Sequence, residues 1–220
     1  MALDSIDRVI AVYFASLCRE PFIYKDVVYL PKPLVVSPLI FRDFTCPPAC
    51  GACCIRVSLD YLPIEDYPEQ AVIRTVKFDS RDIQIYSDMQ SEHSDYHCKH
   101  LSKVDGRCGV YEQRPFQCDF ELIRFLRFET QTRLSQQLFG RKWAKKRIDG
   151  ERGTMCEMTP ASAKALAEVI RKLERLKQWI DWFGLATCID DLLTWVKAGP
   201  HAYSLYIPVE KPLGWAQNNV

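Results

Sequence analysis

The sequence predicts an α+β fold in which small antiparallel sheet elements surround a cysteine-ligated metal core, with helices at both ends. Three observations predict it: an amphipathic N-terminal segment, short β-branched and aromatic runs in the first half, and a long apolar stripe of helical period near the C-terminus. The chain has 220 residues, a length that favours one domain covering residues 1–220.

The N-terminal segment, MALDSIDRVIAVYFASLCRE, is predicted to form a helix that opens at Asp4 or Ser5. It starts with acidic residues and has no basic region, so it does not have the pattern of a secretory signal. We therefore expect a cytoplasmic protein, in which thiols stay reduced. The predicted buried face of the helix consists of Ile6, Val9, Ile10, Tyr13, Phe14 and Leu17.

Strands are expected next. Residues 21–44 are rich in Val, Ile, Tyr and Phe but are interrupted by prolines, which favours short strands or a hairpin at a sheet edge. Residues 55–62 alternate as a strand does. The runs AVIRTVKF and DIQIY predict two further strands, with Asp79 and Ser80 in the turn between them.

The C-terminal part, residues 159–198, is predicted to be helical. Thr159 is expected to cap a helix with Pro160 in its first turn, and Gly184 is expected to end it. A shorter helix follows over about 188–198, and the tail beyond it is expected to lie extended on the surface. The buried stripe of the long helix should contain Leu166, Val169, Ile170, Leu173, Leu176, Trp179, Ile180 and Phe183.

Charge excludes some classes of partner. Lys and Arg number 29 and Asp and Glu 28, a formal net charge of +1, so nucleic-acid binding is not expected. No stretch has the length and apolarity of a membrane span. A basic segment at 140–153 could dock an acidic protein partner. Its cations are Arg141, Lys142, Lys145, Lys146, Arg147 and Arg152.

Ten cysteines are the most informative feature. In a reduced chain of this size, dense cysteines indicate metal more than disulfides. The spacing leaves two zinc sites, one iron–sulfur cluster or two clusters open, because each tetrathiolate site needs four ligands. Cys53 and Cys54 are adjacent, which suggests that they serve two centres, since neighbouring side chains in extended backbone point oppositely. The candidate ligands are Cys46, Cys50, Cys53 and Cys54 in one group, Cys98, Cys108 and Cys118 in a second, and Cys156.

The second group carries a specific resemblance. Cys98 precedes Leu101, and CGVYEQRPFQC then runs from Cys108 to Cys118. This pattern resembles the YkgJ-type cysteine-cluster family, described as a zinc- or iron-chelating domain, in which C-x2-C-x2-C-C is followed by C-x2-Y-x2-R-P-x2-C. The first cluster departs by one residue, since three positions separate Cys46 from Cys50. The resemblance covers about residues 44–120 and implies metal binding without assigning a role.

Two enzymatic alternatives remain open. C-x3-C-x2-C is also the cluster spacing of radical S-adenosylmethionine enzymes, but Ala52 stands where they usually have an aromatic residue. The resemblance also permits an iron–sulfur enzyme that modifies proteins, similar to flagellin lysine methylase, with S-adenosylmethionine-dependent methylation. Whether the chain is an enzyme is left undecided by the sequence.

Residues around the cysteines have more ordinary interpretations as well. His97 and His100 are read as polar loop residues or as outer-sphere donors to sulfur, because enough thiols are present to ligate a metal. Arg114 either stabilises thiolate charge or pairs with a carboxylate such as Glu112 or Asp119. Among the other cysteines, Cys18 and Cys188 lie in apolar helical surroundings and are read as core residues.

Overall fold

The computed structural model describes residues 5–36, 38–42, 44–45, 59–88, 98–102, 104–105, 107–111, 114–116, 118, 126–127, 157–158 and 160–209. The first cysteine cluster, Cys156, His97, the residues at 55–58 and the basic segment at 140–153 lie outside these ranges. Within them the fold is mixed α+β, as predicted. A five-stranded antiparallel sheet and two C-terminal helices are its main elements.

The N-terminal segment is helical, as predicted. Helix α1 spans Ser5–Val9, a π-helical turn spans Ile10–Phe14, and α2 spans Ala15–Leu17. The backbone N–H of Ile6 donates to the buried carboxylate of Asp60 at 2.9 Å, which fixes the start of the helix against the sheet. All six residues of the predicted apolar face are buried: Ile6, Val9, Ile10, Tyr13, Phe14 and Leu17.

The strands, in chain order, are β1 (Phe22–Tyr24), β2 (Val27–Tyr29), β3 (Leu34–Val36), β4 (Phe44–Thr45), β5 (Leu59–Tyr61), β6 (Val72–Phe78), β7 (Arg81–Asp88), β8 (Leu126–Arg127), β9 (Glu157–Met158) and β10 (Leu205–Ile207). The large sheet has the order β2-β1-β6-β7-β5. The predicted turn between β6 and β7 is confirmed: Asp79 and Ser80 both have positive φ, 46° and 63°, as a tight hairpin turn requires. The β1–β2 hairpin lies at one edge of this sheet, also as predicted.

The two faces of the large sheet differ in how far their side chains are buried. One face, which we call the core face, carries buried residues such as Tyr24, Phe78 and Ile85. The opposite, outer face exposes Ile23 and Ile73 at the end where β1 and β6 lie. Because partners in an antiparallel ladder project to the same side, the outer face at the other end consists of two cross-strand pairs. These pairs are Leu59 with Asp88 and Tyr61 with Tyr86.

Helix α3 spans Ala163–Phe183 and covers the core face. Its buried stripe agrees with the prediction, with Leu166 and Ile170 only partly buried. The predicted start was wrong. Ser162, not Thr159, caps the helix: Ser162 is extended and its hydroxyl accepts the N–H of Ala165 at 3.1 Å. The end is as predicted, since Gly184 takes the left-handed conformation with φ 67°.

Helix α4 spans Ile189–Lys197, one residue inside its predicted limits at each end. The described part of the tail is extended, as predicted, and Leu205–Ile207 forms β10, a partly exposed strand that pairs with β3. Backbone hydrogen bonding to β3 explains why this segment is held in place. Within the described residues, no helix is long and apolar enough to cross a membrane.

Candidate metal centre

The outer face of β5 and β7 forms the floor of the candidate site. Leu59 and Tyr61 are 1% and 4% exposed, although they lie on the side of the sheet away from the main core. They form a separate apolar cluster, and Tyr86, Cys98 and Cys118 pack against it. The cysteine segment therefore covers this end of the outer face.

Two of the thiols that the sequence assigned to one group pack here, and the third lies nearby. Cys98 and Cys118 both contact the Leu59–Tyr61 cluster, and Cys108 lies close enough for its charge to raise the pKa of Cys98. Burial, together with the charges of Asp88, Cys118, Glu65 and Cys98, raises the pKa of Tyr61. Cys98 and Cys118, which are 20 positions apart in the sequence, thus both lie near the Tyr61 side chain.

Cys98 begins a tight turn. The N–H of Leu101 donates to the Cys98 carbonyl at 2.9 Å, and Leu101 forms an isolated antiparallel bridge with Cys108. Burial raises the pKa of the Cys98 thiol, and a hydrogen bond from the backbone N–H of His100 lowers it in part. Backbone N–H donation to a cysteine sulfur is a common outer-sphere contact in metal–thiolate sites.

Arg114 interacts with Tyr111 in its own segment and with Glu168 on helix α3. Its guanidinium lies over the ring of Tyr111, with 4.0 Å from Cζ to the ring centroid. Its charge also contributes to lowering the pKa of Glu168 on α3, where the hydrogen bond from Arg171 is the largest cause. Pairing with Glu112 or Asp119 concerns residues outside the described ranges. The arginine of the cysteine motif therefore faces the long helix.

Glu65 joins the site to the helix. Its carboxylate accepts four hydrogen bonds, from the backbone N–H groups of Leu62 and Phe116 and from the side chains of Arg175 and Trp179. Phe116 also packs against Trp179, with ring centroids 5.1 Å apart. Burial raises the pKa of Glu65, and these donors oppose the rise. The segment before Cys118 is thereby fixed to α3.

Asp88, at the end of β7, lies against the two residues that follow Cys98. It is 4% exposed; Lys99 Nζ lies 2.5 Å from its Oδ1, and His100 Nε2 lies 3.8 Å from its Oδ2. The His100 imidazole therefore lies near the Asp88 carboxylate. Sequence reasoning missed Asp88, Tyr61 and Glu65. Only Glu65 had a signal in the sequence. It follows Leu62, the last apolar residue of the predicted strand, by three positions, a spacing at which a glutamate can accept the backbone N–H of the earlier residue.

The remaining predicted ligands are placed as follows. Cys46, Cys50, Cys53, Cys54 and Cys156 lie outside the described residues. Of the cysteines that are described, all five carry free thiols, and Cys18 and Cys188 are buried in the main core, as predicted. In the described part of the chain, no three His, Cys, Asp or Glu side chains stand ready to hold a metal ion. The donors present are soft thiols, which suit zinc and iron–sulfur clusters.

Fold and site together define a cysteine-rich α+β protein that gathers thiols on the outer face of a curled antiparallel sheet. The sequence model of a family described as "CxxCxxCC: Putative zinc- or iron-chelating domain" matches residues 45–157. That is half of the chain, and the chain belongs to this family. No curated protein and no solved structure gives a significant match.

Proposed function

We propose that this protein binds zinc or an iron–sulfur cluster through the thiolates of its clustered cysteines. The packing of Cys98 and Cys118 against the Leu59–Tyr61 cluster, with Cys108 bridged to Leu101 in the turn that Cys98 begins, carries the proposal. These thiols are soft donors of the kind that bind zinc and iron–sulfur clusters. Membership of a family described as zinc- or iron-chelating supports the same conclusion.

A short strand ladder supports grouping Cys156 with the first cluster. Thr45 and Glu157 are register partners in the β4–β9 pair. Cys46 follows Thr45 and Cys156 precedes Glu157 in the sequence. The described sequence neighbours of these two cysteines are thus paired in one ladder, which supports placing both cysteines in one group. We assign Cys46, Cys50, Cys53, Cys54 and Cys156 to one side of the centre.

The proposed role of the metal is first of all structural. The described residues between 98 and 118 form short turns, one isolated bridge between Leu101 and Cys108, and single helical residues, and segments with so little regular structure rarely pack unaided. A thiolate-bound zinc ion would crosslink these turns and contribute on the order of 10 kcal/mol to folding. An iron–sulfur cluster held by the same cysteines would add electron transfer or an open coordination position.

Metal content tests the proposal. The protein should be purified without oxygen and without a metal-binding tag, and then analysed for zinc, iron and acid-labile sulfide beside its visible spectrum. We expect zinc in a colourless protein or iron with sulfide in a brown one. Cys118→Ser should lower the metal content, and Cys188→Ala, a buried core thiol outside the site, should not. Metal-free protein with native circular dichroism would overturn the proposal.

A further inference from the structure

Asp88 is a buried carboxylate that the cysteine pattern does not include. It is the last residue of β7, lies opposite Leu59 in the ladder, and projects from the outer face on which the thiols lie. Its side chain is 4% exposed. Burying a carboxylate is costly unless charges and hydrogen bonds compensate for the lost hydration, so its contacts indicate its role.

Those contacts are the two residues that follow Cys98. Lys99 Nζ lies 2.5 Å from Oδ1, a short, charge-assisted contact. His100 Nε2 lies 3.8 Å from Oδ2, too far for a direct hydrogen bond. Among the described residues, Oδ2 has no hydrogen-bond donor. One oxygen of Asp88 thus holds Lys99, and the other faces the imidazole.

The position of the Cys98 thiol depends on this same turn. The N–H of Leu101 donates to the Cys98 carbonyl at 2.9 Å, and the His100 carbonyl accepts the N–H of Gly109 at 2.7 Å. A movement of Lys99 or His100 would therefore move the sulfur and loosen the link to the segment that carries Cys108. The sheet end is rigid, because β7 is paired on both sides.

We propose that Asp88 is a positioning residue of the metal centre. By holding Lys99 and facing His100, it fixes the turn that carries Cys98. The inference rests on the proposed metal binding. Residues that orient metal ligands in this way typically change metal affinity about 10- to 100-fold when they are replaced.

The test compares Asp88→Asn with Asp82→Asn, an exposed aspartate on the same strand and the same face. Zinc-loaded proteins are mixed with a chromogenic chelator and the rate of zinc release is recorded. Cobalt-substituted proteins give the ligand-field spectrum. For Asp88→Asn we expect release about 10-fold faster or more and shifted cobalt bands. Asp82→Asn should behave as the unaltered protein does.

A merely structural role predicts another result: equal loss of thermal stability with and without metal, and an unchanged cobalt spectrum. That result, or unchanged zinc release in Asp88→Asn, would overturn the inference while leaving metal binding intact. If the unaltered protein holds an iron–sulfur cluster instead of zinc, loss of the cluster's visible absorption in the presence of a chelator replaces zinc release as the measurement. A protein that binds neither zinc, cobalt nor a cluster would overturn both proposals. If Asp88→Asn does not fold, Lys99→Met serves instead, since Lys99 is 38% exposed. It should also release zinc faster, and unchanged release would count against the inference.

Discussion

Trp179 on helix α3 donates its indole N–H to the Glu65 carboxylate at 3.1 Å, across 114 positions of sequence. The same carboxylate accepts the backbone N–H of Phe116, two residues before Cys118. The C-terminal helix and the cysteine segment thus share one buried acceptor. Stability of the core and order at the thiols are expected to be linked through Glu65.

Replacing Glu65 should therefore destabilise the folded protein. Glu65→Ala is expected to lower the free energy of unfolding by about 3 kcal/mol, because it leaves several buried donors without their acceptor. Chemical denaturation followed by tryptophan fluorescence measures the loss. Glu69→Ala, an exposed glutamate nearby, should change stability by less than about 0.5 kcal/mol. Equal effects of the two substitutions would contradict the role given to Glu65.

We expect the aromatic ring of Tyr61, and not its hydroxyl group, to support stability and metal binding. Tyr61→Ala removes the floor beneath Cys98 and Cys118 and is expected to cost about 3 kcal/mol of stability, with weaker metal binding. Tyr61→Phe keeps the ring and should cost no more than about 1 kcal/mol. Calorimetry of metal-free and metal-loaded protein distinguishes the two variants. The expectation fails if Tyr61→Phe weakens metal binding as much as Tyr61→Ala does.

Glu168 should give stability a pH dependence. The hydrogen bond from Arg171 is the main cause that lowers the pKa of Glu168 from 4.5 to about 2. A carboxyl group with a lowered pKa in the folded protein stabilises it above pH 4.5, and this contribution is lost as the pH falls toward 2. Because the pair is partly exposed, we expect Glu168→Gln to cost about 1 kcal/mol at pH 7.

The difference between Glu168→Gln and the unaltered protein should shrink between pH 4.5 and pH 2. Urea denaturation at several pH values provides the measurement. Glu174→Gln on the same helix is the control, because its ion pair with Lys197 is half-exposed and should contribute little to stability. A constant difference for Glu168→Gln across the acid range would contradict the prediction.

Cys18 and Cys188 should be inert. Burial raises the pKa of Cys18 to about 12 and that of Cys188 to about 11, so neither is a thiolate at neutral pH. Native protein treated with iodoacetamide should remain unlabelled at both positions, and unfolding in guanidinium should expose both. Mass spectrometry of peptides detects the label. Fast native labelling of either residue would contradict the burial described here.

The N-cap of helix α3 can be tested by replacing Ser162 and Thr159 in turn. Ser162→Ala should cost about 1 kcal/mol of stability, since the Ser162 hydroxyl accepts the Ala165 N–H. Thr159→Ala, at the position that the sequence pattern favoured, should cost much less. Thermal unfolding of the two variants measures the difference. A larger effect at Thr159 would restore the original prediction.

Local patterns account for what the sequence alone determined. The apolar face from Ile6 to Leu17, the hairpin turn at Asp79 and the end of α3 at Gly184 were readable because periodicity and turn chemistry act over a few residues. The family was readable for the same reason, since Cys108, Arg114 and Cys118 lie within one short motif.

Tertiary structure decided the rest. The choice of Ser162 as the cap, the pairing of Leu205–Ile207 with β3 and the floor under the thiols depend on partners distant in sequence. Glu65 and Asp88 are the clearest cases. A single carboxylate has no periodicity, and whether it is solvated or buried against Trp179 or Lys99 is determined only when the strands and helices pack together.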